Sequence, residues 1–144
     1  MSRRVVVDTC VLQKANAPMR NAPRAGREIN ERIDLLKKLA DGSLTPAWSA
    51  TVLREYLEHV PEPRNDFMRA FFEILGRVPP TWTRLTGAQE ARLGRCRYPP
   101  EDKHLLRTAC PGPATIATEE GRLLRVDGPV HQYFQVHIRA PAEV

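Results

Sequence analysis

The chain has 144 residues, of which 42% are hydrophobic and 27% charged, and its formal net charge is +5. This length is enough for one domain with a sizeable core and too short for two, so we predict a single domain over 1–144. No apolar run approaches the roughly 20 residues of a membrane helix. The N-terminal segment also lacks a signal-peptide core, so we expect a cytoplasmic protein without a membrane span.

The positive charge and the cysteines limit the kinds of partner and of metal site that the protein is expected to have. Most of the positive charge is arginine, which binds phosphate in a bidentate manner, so the charge indicates either a polyanionic partner or simple solubility. The chain has three cysteines, Cys10, Cys96 and Cys110, and contains no C-x-x-C motif. This odd, unpaired pattern argues against a disulfide framework and against a structural zinc site.

The first half of the chain begins with a β-branched run and continues with helical patterns. The three valines at 5–7 predict a short buried strand. Apolar residues recur on one face of 28–40, as in an amphipathic helix, and Ser49 and Asn65 are typical N-caps. In chain order we predict a strand at 5–7, helices at 10–15 and 28–40, a strand at 43–47, and helices at 49–60 and 65–76.

The second half alternates short strands with helices. Pro99 and Pro100 suit the start of a helix, and the Pro111-Gly112-Pro113 segment stops it. In chain order we predict a strand at 82–85, helices at 88–93 and 101–110, a strand at 114–118, a helix at 120–124 and a strand at 135–138. The alternation predicts an α/β fold: a three-layer sandwich with a mainly parallel central sheet of four to five strands flanked by helices.

Acidic residues follow two of the predicted strands. Asp8 comes directly after 5–7, and Glu119 and Glu120 come after 114–118. Side chains at the carboxyl ends of parallel strands meet in one crevice, so these acids are expected to converge. Such a cluster is costly without a cation, and its hard oxygen ligands suit Mg²⁺ or Mn²⁺. The competing interpretation is that Asp8 and one of the two glutamates cap the helices that follow.

Two further acids lie on predicted helices. Glu55 falls on the flank of the apolar stripe of its helix, whereas Glu58 falls opposite the stripe and should be solvated. Asp102 lies in the first turn of the next helix, on the side of its core-facing leucines, and Glu101 should point further out. An ordinary surface glutamate and a helix-dipole partner are the alternative interpretations of Glu55 and Asp102.

Taken together, five segments resemble the PIN-domain family of metal-dependent ribonucleases. They are VVVDTCVL (5–12), SATVLREY (49–56), PEDKHLLRTA (100–109), ATIATEEGRLL (114–124) and VHIRAPAE (136–143). The resemblance implies cleavage of RNA at a Mg²⁺ or Mn²⁺ site. Asp8 and Asp102 would be the principal metal ligands, Glu55 and Glu120 would complete the site, and Thr9 would steady the acids by hydrogen bonding. Many small members of the family are toxins, so a small antitoxin protein and a second copy of the chain are the protein partners considered.

The chain departs from the family pattern at two positions. Cys10 stands where the family usually has Asn or Ser, and Glu120 stands where Asp is usual. These departures support an alternative, a degenerate PIN-like module that binds RNA or protein without cleavage. An unrelated α/β binding domain is a third hypothesis. For RNA attraction, the arginines of RLGRCRY (92–98) are the first candidates and those at 20, 24 and 27 the second.

Overall fold

The computed structural model describes residues 3–18 and 27–144, and for 27–30 it describes the backbone alone. The described chain forms one four-stranded, all-parallel sheet with the strand order β2-β1-β3-β4. Helices flank this sheet, so the predicted α/β sandwich with a parallel central sheet is confirmed. The strands are β1 Arg3–Val7, β2 Leu44–Pro46, β3 Ala114–Ala117 and β4 Val136–Arg139.

Eight α-helices connect or follow the strands in the described part of the chain. Two of them have the side-chain caps that the sequence predicts, because Ser49 accepts a hydrogen bond from Val52 N and Asn65 accepts one from Met68 N. None of the described helices is long and apolar enough to cross a membrane. The helices are α1 Thr9–Ala15, α2 Arg27–Ala40, α3 Ala50–His59, α4 Asp66–Leu75, α5 Gly87–Arg95, α6 Lys103–Ala109, α7 Gly121–Leu124 and α8 Asp127–Phe134.

The centre of the sheet fixes where the acids lie. β1 pairs with β3 in a register that puts Val7 opposite Ala117, and both residues are buried. The ladder extends one step further, since Asp8 N donates to Ala117 O at 2.8 Å. The side chains that follow β1 and β3 therefore emerge next to each other at the carboxyl edge of the sheet, as parallel topology requires.

The prediction of a strand at 82–85 is wrong. This stretch has no regular secondary structure, and polar groups at 81–83 bond to the neighbouring helix instead of to a sheet. Thr83 N donates to Arg107 O, and the hydroxyls of Thr81 and Thr83 donate to the carbonyls of Thr108 and Cys110, each at 2.7 Å. The last carbonyls of a helix have no partner within it, so the threonines satisfy the end of α6.

Helix α8 is an element that the sequence analysis missed. It ends at Phe134, and the residue that follows, Gln135, adopts a left-handed conformation with φ of 59°. Its first residue, Asp127, accepts a hydrogen bond from Ile138 N at 2.8 Å and forms an ion pair with Arg139 at 2.9 Å. These bonds tie the start of α8 to β4.

Candidate metal centre

Asp8 lies at the end of β1 with its carboxylate held from β3. Its side chain is 6% exposed, and Oδ2 accepts a hydrogen bond from the Thr118 hydroxyl at 2.8 Å. The Cys10 thiol also donates to Oδ2, at 3.5 Å. Burial raises the pKa of Cys10 to about 11, and the Asp8 charge adds to the rise, so the thiol stays protonated and remains a donor. Cys10 thus supplies a weak hydrogen bond to Asp8.

A second group of acids lies where α6 and α7 begin. Glu101, Asp102 and Glu120 each place a carboxylate oxygen within 4.8 Å of the others. Burial raises the pKa of Asp102 to about 7, and the charges of Glu120 and Asp8 add to this rise. Asp8 is therefore close enough to act on Asp102, and the structure brings three of the four predicted acids together. Glu101, expected to point outward, is exposed and paired with Arg122 at 2.6 Å, yet it also reaches this group.

Three of the predicted acids occupy N-cap positions without acting as caps. Asp8, Asp102 and Glu120 precede α1, α6 and α7, and in the described chain none of their side chains makes a capping hydrogen bond. One carboxylate oxygen of Asp102, Oδ2, is buried with no hydrogen-bond partner among the described residues. A buried carboxylate oxygen without a donor is unfavourable. The capping interpretation is therefore wrong for Asp8 and for Glu120.

Glu55 approaches the same region from α3. Its Oε1 accepts a hydrogen bond from the Thr9 hydroxyl at 2.6 Å. Its Oε2 lies 2.7 Å from His104 Nε2, a close polar contact without the alignment of a hydrogen bond. Glu55 is partly buried, whereas Glu58 is exposed, so the helical phase predicted for these two residues is observed.

An open pocket connects these groups. Asp8, Glu55 and Glu120 all contribute to its wall, and Lys14 and His59 add basic side chains. Asp102 does not line this pocket, but one of its carboxylate oxygens lies within 4.8 Å of an oxygen of Glu120, which does. Three of the four predicted carboxylates thus line one concave surface, and Asp102 adjoins it through the cluster with Glu120.

Glu119 lines the pocket but is engaged elsewhere. It forms a bidentate pair with Arg32 of α2, whose Nε and Nη2 lie 2.6–3.0 Å from the two carboxylate oxygens. Arg32 is 5% exposed, so the pair satisfies a buried guanidinium. Of the two consecutive glutamates, Glu120 faces Asp102 and Glu119 has a structural partner.

Two residues of this region were not singled out from the sequence as site residues. Thr118 is fully buried, and its hydroxyl bonds Asp8 while accepting a hydrogen bond from Glu120 N at 3.0 Å. His104 contacts Glu55 from another helix. Thr118 could have been found from its position beside Asp8 at the end of β3. The contact of His104 depends on how α3 packs on α6.

The predicted basic segment adjoins the cluster. Arg92, Arg95 and Arg97 are exposed, and the hydroxyl of Tyr98 donates to the backbone carbonyl of Asp102 at 2.6 Å. The Arg92 guanidinium also lies over the ring of Tyr133, at 4.6 Å from its centroid. The alternative groove at 20, 24 and 27 lies outside the described residues and side chains.

Comparison with known proteins adds no relative. No model of a known protein family, no curated protein and no solved structure matches the chain.

Proposed function

We propose that the protein is a metal-dependent endoribonuclease of the PIN-domain type, which hydrolyses RNA phosphodiester bonds at the site formed by Asp8, Glu55, Asp102 and Glu120. The observation that carries the proposal is the orientation of the acids at three helix starts. Asp8, Asp102 and Glu120 stand where side chains usually cap, yet their carboxylates cluster with each other. Like charges converge in this way at a cost, which a bound cation removes.

The donor set fits Mg²⁺ or Mn²⁺. All of the candidate ligands are carboxylate oxygens, and Mg²⁺ is bound by one or two carboxylates together with waters. The buried Oδ2 of Asp102, without a donor among the described residues, is a free ligand atom of the required kind. Asp102 and Asp8 are the principal ligands in this proposal, and Glu55 and Glu120 complete the site directly or through water.

The residues of the chain have separate tasks at such a site. Thr118 and Cys10 orient the Asp8 carboxylate, and Thr9 orients Glu55. When bound, the metal supplies an activated water and neutralises charge on the phosphate. Because Asp102 carries a pKa of about 7 in the free protein, it is partly protonated near neutral pH and gives up that proton when a cation binds.

RNA is the proposed substrate because the acidic site is set in a basic chain. The net charge is +5, and Arg95 and Arg97 are exposed next to the loop that leads through Tyr98 to Asp102. Cationic side chains at the edge of an acidic metal site bring in a polyanion that the carboxylates alone would repel. The resemblance to small family members further suggests a cytoplasmic toxin, with an antitoxin protein or a second copy of the chain as partner.

A second candidate function is a PIN-like module that binds RNA or protein without cleaving. The observation that favours it is that both oxygens of Glu55 are already engaged, one by Thr9 and one by His104. The added methylene of Glu120 also shifts its carboxylate relative to the Asp of the family pattern. In this alternative the acids hold a cation, or repel one another, without activating water.

Metal-dependent cleavage separates the two functions. Single-stranded RNA is incubated with purified protein and Mg²⁺ or Mn²⁺, with and without chelator, beside the variant Asp8→Asn. The ribonuclease proposal expects cleavage that requires metal and is lost in Asp8→Asn, whose amide still accepts from Thr118. Binding of RNA without cleavage in both proteins favours the second candidate.

A further inference from the structure

We propose that His104 is a positioning residue of the metal centre, which holds the Glu55 carboxylate in the orientation that faces the pocket. This inference rests on the proposed metal site and adds a residue outside the four acids and Thr9. His104 lies on α6, two positions after Asp102, and Glu55 lies on α3. Their contact therefore joins α3, which carries Glu55, to α6, which Asp102 directly precedes.

The contact is close and shielded. His104 Nε2 lies 2.7 Å from Glu55 Oε2, and the imidazole is 15% exposed while the carboxylate is 31% exposed. The Thr9 hydroxyl holds the other oxygen of Glu55 at 2.6 Å. Glu55 is thus hydrogen-bonded by Thr9 of α1 at one oxygen and closely approached by His104 of α6 at the other. Each carboxylate oxygen has a second lone pair, so both contacts can coexist with a bound cation.

His104 has a clear geometric reason to act through Glu55. Its Nε2 is buried, and within the described chain the nearby polar atom that it meets is the Glu55 carboxylate. A glutamate side chain has three rotatable bonds, and fixing it before the cation arrives removes part of the entropy cost of binding. Partners that orient a metal ligand commonly change metal affinity by 10- to 100-fold when they are removed.

The test is a titration of the intact protein with Mn²⁺ alone, measured by calorimetry. Three variants are compared with wild type: His104→Leu removes the contact, His104→Asn shortens it, and His104→Gln keeps an amide at about the reach of Nε2. His131→Leu is the control, because His131 is exposed on α8 and stacks on His137. Thermal unfolding in chelator verifies that each variant is folded.

Wild type and His131→Leu should bind Mn²⁺ equally, and His104→Leu should bind it about tenfold more weakly. His104→Gln should recover most of the affinity and His104→Asn little of it. In a Glu55→Gln background, His104→Leu should cause no further loss, because the residue acts through that carboxylate. If His104→Leu does not fold, the difference between His104→Gln and His104→Asn carries the same test.

Three results would overturn the positioning role. The first is unchanged Mn²⁺ affinity in His104→Leu or, if that variant does not fold, in His104→Asn. The second is an undiminished effect of His104→Leu in the Glu55→Gln background, and the last is an equal loss of affinity in His104→Gln and His104→Leu. The last result would mean that an amide at the reach of Nε2 does not restore the contact, so orientation of Glu55 would not explain the loss. Failure of wild type to bind Mn²⁺ would refute the metal site, and this inference with it. Normal binding by wild type with no effect at His104 would refute this inference alone.

Discussion

Replacing Asp102 with asparagine should stabilise the metal-free protein at alkaline pH while removing its metal-dependent activity. Burial raises the pKa of Asp102 from 3.8 to about 7, with further contributions from Glu120 and Asp8. The native state therefore holds this proton more tightly than the unfolded chain does. Stability from this group is fully present below pH 4 and is lost as the pH rises through 7.

The size of the effect follows from the shift. If the whole rise in the pKa of Asp102, from 3.8 to about 7, were expressed as a change in the free energy of unfolding, it would amount to about 4 kcal/mol, at roughly 1.36 kcal/mol for each pKa unit. Asp102 is only half-buried, and water screens its neighbours, so we expect on the order of 1–2 kcal/mol. The amide of asparagine does not ionise and can donate to Glu120, so the variant avoids this loss.

Urea unfolding in chelator at pH 4 and pH 8 measures the difference between the variant and wild type. Asp102→Asn should be near wild type at pH 4 and about 1–2 kcal/mol more stable at pH 8. Glu58→Gln, on an exposed position of α3, should track wild type at both pH values. An Asp102→Asn protein that is less stable than wild type at pH 8 would show that Asp102 supports the fold, and the repulsive cluster would be refuted.

Three further predictions concern the other acids and the basic segment. Glu55→Gln should weaken Mn²⁺ binding about tenfold and Glu58→Gln should not; equal losses in a calorimetric titration would contradict the assigned helix phase. Glu120→Asp should keep or raise the cleavage rate and Glu120→Ala should lower it, and an unaffected Glu120→Ala rate would remove Glu120 from the site. Neutralising Arg95 and Arg97 together should weaken RNA binding. The negative slope of log affinity against log salt, measured at several salt concentrations, should become shallower by about 1.4. An unchanged slope would place the RNA contacts elsewhere.

Local sequence signals were sufficient for the elements that carry the site. The valines at 5–7 and the apolar run at 114–118 predicted the two central strands, and parallel topology then brought Asp8 and Glu120 to one edge. The helical phase of Glu55 followed from the apolar stripe of α3. These features depend on residues within one or two turns of each other.

Features that depend on distant packing were not predicted. The stretch at 82–85 has the composition of a strand, but its hydrogen bonds go to the end of α6, a partner more than twenty residues away. Helix α8 contains Gly128 and Pro129 near its start, which interrupt the helical pattern, and Asp127 is tied to β4 by long-range bonds. The contact of His104 likewise exists only once α3 and α6 are packed.

The most direct measurement of the central claim is the initial rate of cleavage of single-stranded RNA as a function of Mg²⁺ or Mn²⁺ concentration, for wild type and Asp8→Asn purified in parallel. We predict a rate that rises with metal to saturation in wild type, is abolished by chelator, and is absent in Asp8→Asn while the variant unfolds at a similar temperature. Cleavage that persists in Asp8→Asn, or a folded wild type that neither cleaves RNA nor binds the metal, would contradict the claim.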